Sequence, residues 1–150
     1  MHLEKQFTIF MINKPGVLSM ILNGLASAKI NIIALTVMDS AEHGVLRLVA
    51  ATPEKVRKVL AKLNMQYNET EVLCVNLANK SGAFADITEK LAKAHINISY
   101  AYCTAGARGG RTTGILKVSS IKKAIKVLSG HAKTKTKSKP TTRHSLASRK

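Results

Sequence analysis

Apolar residues along this chain alternate between two rhythms, a strand rhythm and a helix rhythm. Phe7 to Ile12 is a run of β-branched and aromatic residues, the composition of a strand. Pro15-Gly16 then opens a segment with Leu18, Ile21, Leu22 and Leu25 at helical spacing. Ile30 to Met38 returns to β-branched residues, Ala41-Glu42-His43-Gly44 supplies a turn, and Val45 to Ala50 supplies the second strand of a hairpin. Thr52 stands as N-cap before Pro53, and Val56, Val59, Leu60 and Leu63 form the apolar stripe of a second helix. Gln66 to Thr70 can close the unit as a short strand. The order βαββαβ predicts an α+β fold, an antiparallel sheet with two helices on one face.

The same rhythm then runs a second time. Shifting the chain by 66 places Asn13-Lys14-Pro15-Gly16 on Asn79-Lys80-Ser81-Gly82 and Ile30-Asn31-Ile32 on Ile96-Asn97-Ile98; ten of the twenty positions from 13 to 32 are identical. The second copy reads as strand Val72 to Leu77, helix Phe84/Ile87/Leu91/Ala94, strand Ile96 to Thr104, strand Ile115 to Val118 and helix Ile121/Ala124/Ile125/Leu128. Extra residues, Gly106 to Arg111, lengthen its hairpin, so that Val45-Leu46-Arg47-Leu48 is expected opposite Ile115-Leu116-Lys117-Val118. The chain divides into a first unit at 1–70, a second at 71–130 and a tail at 131–150.

A unit of about 60 residues buries only ~60% of its unfolded surface, so the two copies are expected to pack together. In Ile32 to Met38, Ile32, Ala34 and Met38 point one way and Ile33, Leu35 and Val37 the other, which predicts burial on both faces by the sister unit or by another chain. After Leu128 no apolar run supplies the second unit's last strand, and a bare edge there raises the prospect of a homodimer.

Charge changes the picture only at the end of the chain. The formal charge is +16, yet residues 131–150 hold seven basic residues and no acid, with Leu146 the one large apolar residue. That segment cannot bury enough surface to offset its ordering entropy and is expected to be disordered. No stretch approaches the ~20 apolar residues that cross a bilayer, and the start, Met1-His2-Leu3-Glu4-Lys5, lacks the apolar core of a secretory signal, so no membrane partner and a cytoplasmic location are expected.

Asn13-Lys14-Pro15-Gly16-Val17-Leu18, followed by Leu25-Ala26 and Ile30-Asn31-Ile32, resembles the ACT domain, the small-molecule regulatory module attached to many enzymes of amino-acid metabolism. Asn79-Lys80-Ser81-Gly82-Ala83-Phe84 with Ile96-Asn97-Ile98 resembles it again, and residues 1–128 are similar to free-standing tandem ACT proteins. The resemblance implies ferredoxin-like units whose sheets pair side by side, an amino acid bound at the junction between units, and no catalysis and no cofactor. It also implies an enzyme of amino-acid metabolism as a partner. The residues it carries into the site are Asn13, Pro15, Gly16, Val17, Leu18, Asn31 and Ile32, and in the second copy Asn79, Ser81, Gly82, Ala83, Phe84, Asn97 and Ile98.

Read physically, Gly16 and Gly82 stand where a strand turns into a helix, leaving backbone N–H groups free and letting a carboxylate approach. Asn31 and Asn97 can donate to a carboxylate and accept from an ammonium. Each also has a purely structural reading, a turn glycine or a turn-capping asparagine. Ser81 in place of proline is either a harmless N-cap substitution or a sign that only one copy binds.

Other chemistry is sparse. Cys74 and Cys103 lack disulfide or zinc spacing and read as buried free thiols, and the five histidines share no metal-ligand spacing. Tyr100 and Tyr102 fall on one strand face, where they can stack a ligand or fill a core. The alternative function is a nucleic-acid or polyanion binder that uses the basic tail on an ACT-like dimerisation scaffold.

Overall fold

Strand β1 (His2–Ile12) lies at the centre of the molecule because its alternate residues Phe7, Ile9 and Met11 are all buried, and it pairs on both sides. The computed structural model describes residues 1–39, 43–104 and 112–130; the tail 131–150, most of the second hairpin's connection and residues 40–42 lie outside the described residues. Along the chain follow α1 (Val17–Ser27), β2 (Ile32–Asp39), β3 (His43–Ala50), α2 (Pro53–Lys62) and β4 (Gln66–Leu77). The second half adds α3 (Ala83–Lys93), β5 (Ile98–Cys103), β6 (Thr112–Val118) and α4 (Ile121–Ser129). The strands form one antiparallel sheet in the order β2-β3-β1-β4-β6-β5. Two ferredoxin-like units thus lie edge to edge with their helices on the same face.

One strand serves both units. The expected pair of strands, Gln66 to Thr70 and Val72 to Leu77, is a single twelve-residue strand, because nothing between them supplies turn chemistry. Its first half pairs with Phe10 to Gln6 and closes the first unit, while Leu73 to Leu77 pair with β6 in the second. The place of the second unit's missing last strand is taken by β1 itself, with His2, Leu3 and Glu4 opposite Cys74, Leu73 and Val72. The β4 edge expected to be bare is therefore covered from within the chain. Lys5 lies opposite Glu71, its own counterpart at the repeat offset of 66, so a pseudo-two-fold axis normal to the sheet passes between them. A 3.3 Å ion pair joins the two side chains.

The hairpin register corrects the sequence alignment. Phe7 faces Leu48 and Leu73 faces Leu116, so Leu48 corresponds to Leu116 at an offset of 68, and the second copy carries two extra residues before β6 rather than four. A shift of two keeps every side chain on its face, which is why hydrophobic pattern alone did not fix it.

Helix-side cores form under each unit, around Phe7, Ile21, Leu25 and Leu60 in the first and Leu73, Leu91, Leu116 and Ala124 in the second. Gly24 lets α2 approach α1, since a Cβ there would stand 3.0 Å from Val59 Cγ1. The other sheet face is concave. Ala34 of β2, Val49, Val72, Cys74 and Ile115 gather there with Ile33 and Tyr102, which brings side chains from both sheet edges into one cluster. The β2 expectation holds only for this part. A register irregularity between Ile32 and Ala34 breaks the alternation, so that Ile32, Leu35 and Val37 lie opposite Ala50, Leu48 and Leu46 on the helix side and Met38 on the other face; all four are 38–45% exposed because β2 is an edge strand.

Candidate functional site

Each unit turns from strand to helix through the same tight loop. In the first, Lys14 N donates to the Ile12 carbonyl at 2.9 Å and Met20 N to that of Gly16 at 2.9 Å; in the second, Lys80 N donates to Ala78 at 2.8 Å and Asp86 N to Gly82 at 3.0 Å. Gly16 and Gly82 occupy the left-handed region, with φ of 90° and 82°, and a Cβ at either would meet nothing within 4 Å. The glycines thus serve the backbone, and the space above them is open. Ser81 changes nothing in the path of the second loop. No side chain caps either helix start, so both leave first-turn N–H groups free of side-chain partners. They differ in charge: α1 has no acid in its first turn, whereas α3 already has Asp86 there. The α1 start is therefore the more favourable of the two to a negative group.

The other expected residues are scattered more widely. Asn13, Pro15, Asn79 and Ser81 are exposed around the loops. Val17 and Leu18 pack on the first core, Ala83 is half-buried at the start of α3, and Phe84 packs on the second core. Asn31 and Asn97 precede the edge strands, where their carbonyls accept from Ala51 N at 3.2 Å and Ser119 N at 2.9 Å; among the described residues their side-chain amides bond nothing. Ile32 lies exposed on the edge and Ile98 half-buried on the second core. Gly16 and Asn31 sit at opposite ends of α1, some 16 Å apart by its eleven residues at ~1.5 Å each. Within one chain, then, the glycine loop and the strand asparagine of a unit do not meet. Gly16 shares its end of the sheet with Asn97, but β4 and β6 intervene between β1 and β5.

A cavity of about 450 Å³ opens between α1 and α2. Another, of about 350 Å³, lies beside the first loop and was not foreseen; Phe10, Ile12, Val17, Met20 and Met65 line it. Phe10, Ile12 and Met20 are 42–56% exposed, an apolar concentration that neither the β-rich run nor the helical spacing marks out by itself. Tyr100 and Tyr102 turn out to be structural. Buried Gln6 donates from Nε2 to the Tyr100 hydroxyl at 2.8 Å and accepts at Oε1 from that of Tyr102 at 3.0 Å, and the Arg47 guanidinium lies 3.9 Å from the centre of the Tyr100 ring. Burial holds the Tyr102 hydroxyl well above its ordinary range and pushes the Cys74 thiol up to about 11. Cys103 is exposed, contrary to expectation, because it ends an edge strand. The described residues contain no group of three or more His, Cys, Asp or Glu placed to hold a metal ion, and none of their helices is long and apolar enough to cross a membrane.

Two βαββαβ units sharing a central strand and carrying matched glycine loops define a tandem ferredoxin-like protein. More particularly, the chain belongs to the ACT domain pair family, whose model matches residues 1–132. The structure is similar to that of protein BT0572 from Bacteroides thetaiotaomicron, at 30% identity and a TM-score of 0.79 over 85% of this chain and 88% of that one. It shares its fold with the ligand-free regulatory subunit of aspartate kinase from Thermus thermophilus, at 11% identity and a TM-score of 0.64 over 87% and 93% of the two chains. It also shares it with a structure of the aspartokinase α and β subunits, at 16% identity and a TM-score of 0.56 over 87% and 96%. No curated protein matches the chain.

Proposed function

We propose that this protein is a non-catalytic regulatory module that binds a free amino acid at the Gly16 loop and passes its occupancy to a partner enzyme through a homodimer. The observation that carries the reading is the first loop itself: an open glycine turn, an uncapped helix start without an acid, and an apolar cavity beside it. The helix start receives the ligand carboxylate. The cavity, about 350 Å³ and at the small end of ligand pockets, receives a large apolar side chain. The site is completed by a second copy. β2 is an edge strand with an uncharged sequence through Met38 and four exposed apolar side chains, the kind of edge that pairs unless it is blocked. Antiparallel pairing of β2 with its copy carries Asn31 of the partner subunit to the sheet end that holds Gly16.

A thermal-shift screen with the common amino acids tests this. A ligand at ~100 times its dissociation constant stabilises the native state by ~2.7 kcal/mol. Leucine, methionine or phenylalanine is expected to raise the melting temperature and aspartate or lysine is not. No shift with any amino acid at millimolar concentration would sink the sensing role, while a shift with only polar ones would overturn the use of the cavity.

A further inference from the structure

The excess charge of the folded part is not spread evenly. Helix α1 carries no charged residue, and in α3 Asp86 and Glu89 offset Lys90 and Lys93. Helix α2 carries Lys55, Arg57, Lys58 and Lys62 against Glu54, and α4 carries Lys122, Lys123 and Lys126 against nothing. Each of the two thus holds a net +3. They are counterparts under the pseudo-two-fold axis, since Pro53 and Ile121, where they begin, differ by the same 68 as Leu48 and Leu116. Arg57 of α2 reaches β4 through a bidentate contact with Glu69 at 2.6 and 2.9 Å, which sets α2 beside the axis; symmetry sets α4 on its other side, running antiparallel.

Among the described residues the acids that form ion pairs do so with other partners than these lysines. Glu54 and Glu69 are taken by Arg57, Glu71 by Lys5, Glu89 by Lys93, and Glu4 by His2. Among the described residues Lys55, Lys58, Lys62, Lys122, Lys123 and Lys126 form no ion pair. Three of them border the 450 Å³ groove between α1 and α2, and the other three border a shallow groove along α4. Neither α2 nor α4 has an aromatic residue, so this surface offers nothing to stack an unpaired base.

We infer that the paired lysine rows of α2 and α4 form a docking surface for the phosphate backbone of duplex DNA. Two antiparallel rows of point charges about a two-fold axis match the dyad of a duplex, whose strands also run antiparallel. The surface supplies ammonium donors and no base-reading fork, so binding is independent of sequence. This surface is built from residues other than those of the Gly16 loop and of the tail.

The test uses the full chain and a fluorescent 20-base-pair duplex, with anisotropy read from 50 to 200 mM KCl. Six lysine contacts predict a loss of affinity of ~10³-fold across that range, steeper if the tail adds to it. Replacing the six helix lysines by glutamine is expected to make the slope of log K against log salt shallower by about five, at ~0.9 per phosphate. The α2 triple variant and the α4 triple variant, each still folded by circular dichroism, are expected to lose about half of that apiece. A companion variant with Lys133, Lys135, Lys137 and Lys139 replaced by glutamine is expected to keep the helix share. The inference is overturned if the helix variants bind like the parent, if the tail variant abolishes binding, if the parent shows no binding at 50 mM KCl, or if duplex RNA or anionic vesicles bind more tightly than the DNA.

Discussion

A single amide, that of Gln6, decides how the concave face of the sheet is held. It is fully buried and serves two tyrosine hydroxyls of the opposite unit and, two residues along its own strand, the hydroxyl of Thr8. Replacing it with leucine keeps the volume but strips partners from buried hydroxyls, at a cost of roughly 1–3 kcal/mol in urea unfolding; Tyr102→Phe in that background is expected to restore part of the loss. The sequence placed Tyr100 and Tyr102 on one face but not against Gln6, because their partner lies 94 and 96 residues away and no local pattern encodes it. Cys74 gives a second residue-level outcome. Its thiol has an ordinary value of 9.0 and is pushed up to about 11 chiefly by burial, so the folded chain keeps a proton that the unfolded chain releases. Its contribution is complete below pH 9, and it is lost as pH rises toward 11. The melting temperature is expected to fall over that interval and to fall less in Cys74→Ala. With Ellman's reagent at pH 8 the native chain is expected to yield one fast thiol, exposed Cys103, and the denatured chain two.

At the scale of elements, the helices and most strands were legible because their apolar spacing is strong and repeated. Three features were not. The junction at Glu71 reads as a possible break only if each unit is assumed to own its strands, and the β3-to-β6 alignment was free to slip by two without changing any face. Helix ends were also hidden, since Lys29, Asn64 and His95 adopt positive φ near 54° where glycine is the usual residue. Each closes its helix with a backbone bond across the turn, such as Ile30 N to the Leu25 carbonyl at 3.0 Å. Lys29→Gly and His95→Gly are each expected to stabilise the chain by about 0.5–1 kcal/mol, relief of the left-handed strain exceeding the added freedom of the unfolded chain. Destabilisation by either would mean that the lysine or histidine side chain supports the turn. Gly16→Ala is expected to do the reverse, costing ~1–2 kcal/mol for strain alone, because no atom stands within 4 Å of the added methyl.

For the whole molecule, the duplication was plain in the sequence, but how the copies join was not. They share β4 and lend β1 in return, which removes the inner edges and leaves β2 and β5 as the outer ones. The candidate loops were legible as motifs; their separation from Asn31 was not, because it depends on the length of α1 and the direction of β2. If a second copy completes the site, blocking the β2 edge must act on assembly and ligand together. Val37→Lys, at an exposed edge position, is expected to weaken a sedimentation-velocity dimer at least tenfold and to weaken ligand binding with it. The most direct measurement is calorimetric titration of the amino acid found in the screen into folded Gly16→Asp and Gly82→Asp chains. A carboxylate at position 16 occupies the place proposed for the ligand's own, at a helix start that otherwise has no acid, whereas α3 already carries Asp86. The account predicts that Gly16→Asp abolishes binding and Gly82→Asp largely preserves it; unchanged affinity in both would show that these glycines serve only their turns, and the site would have to lie elsewhere.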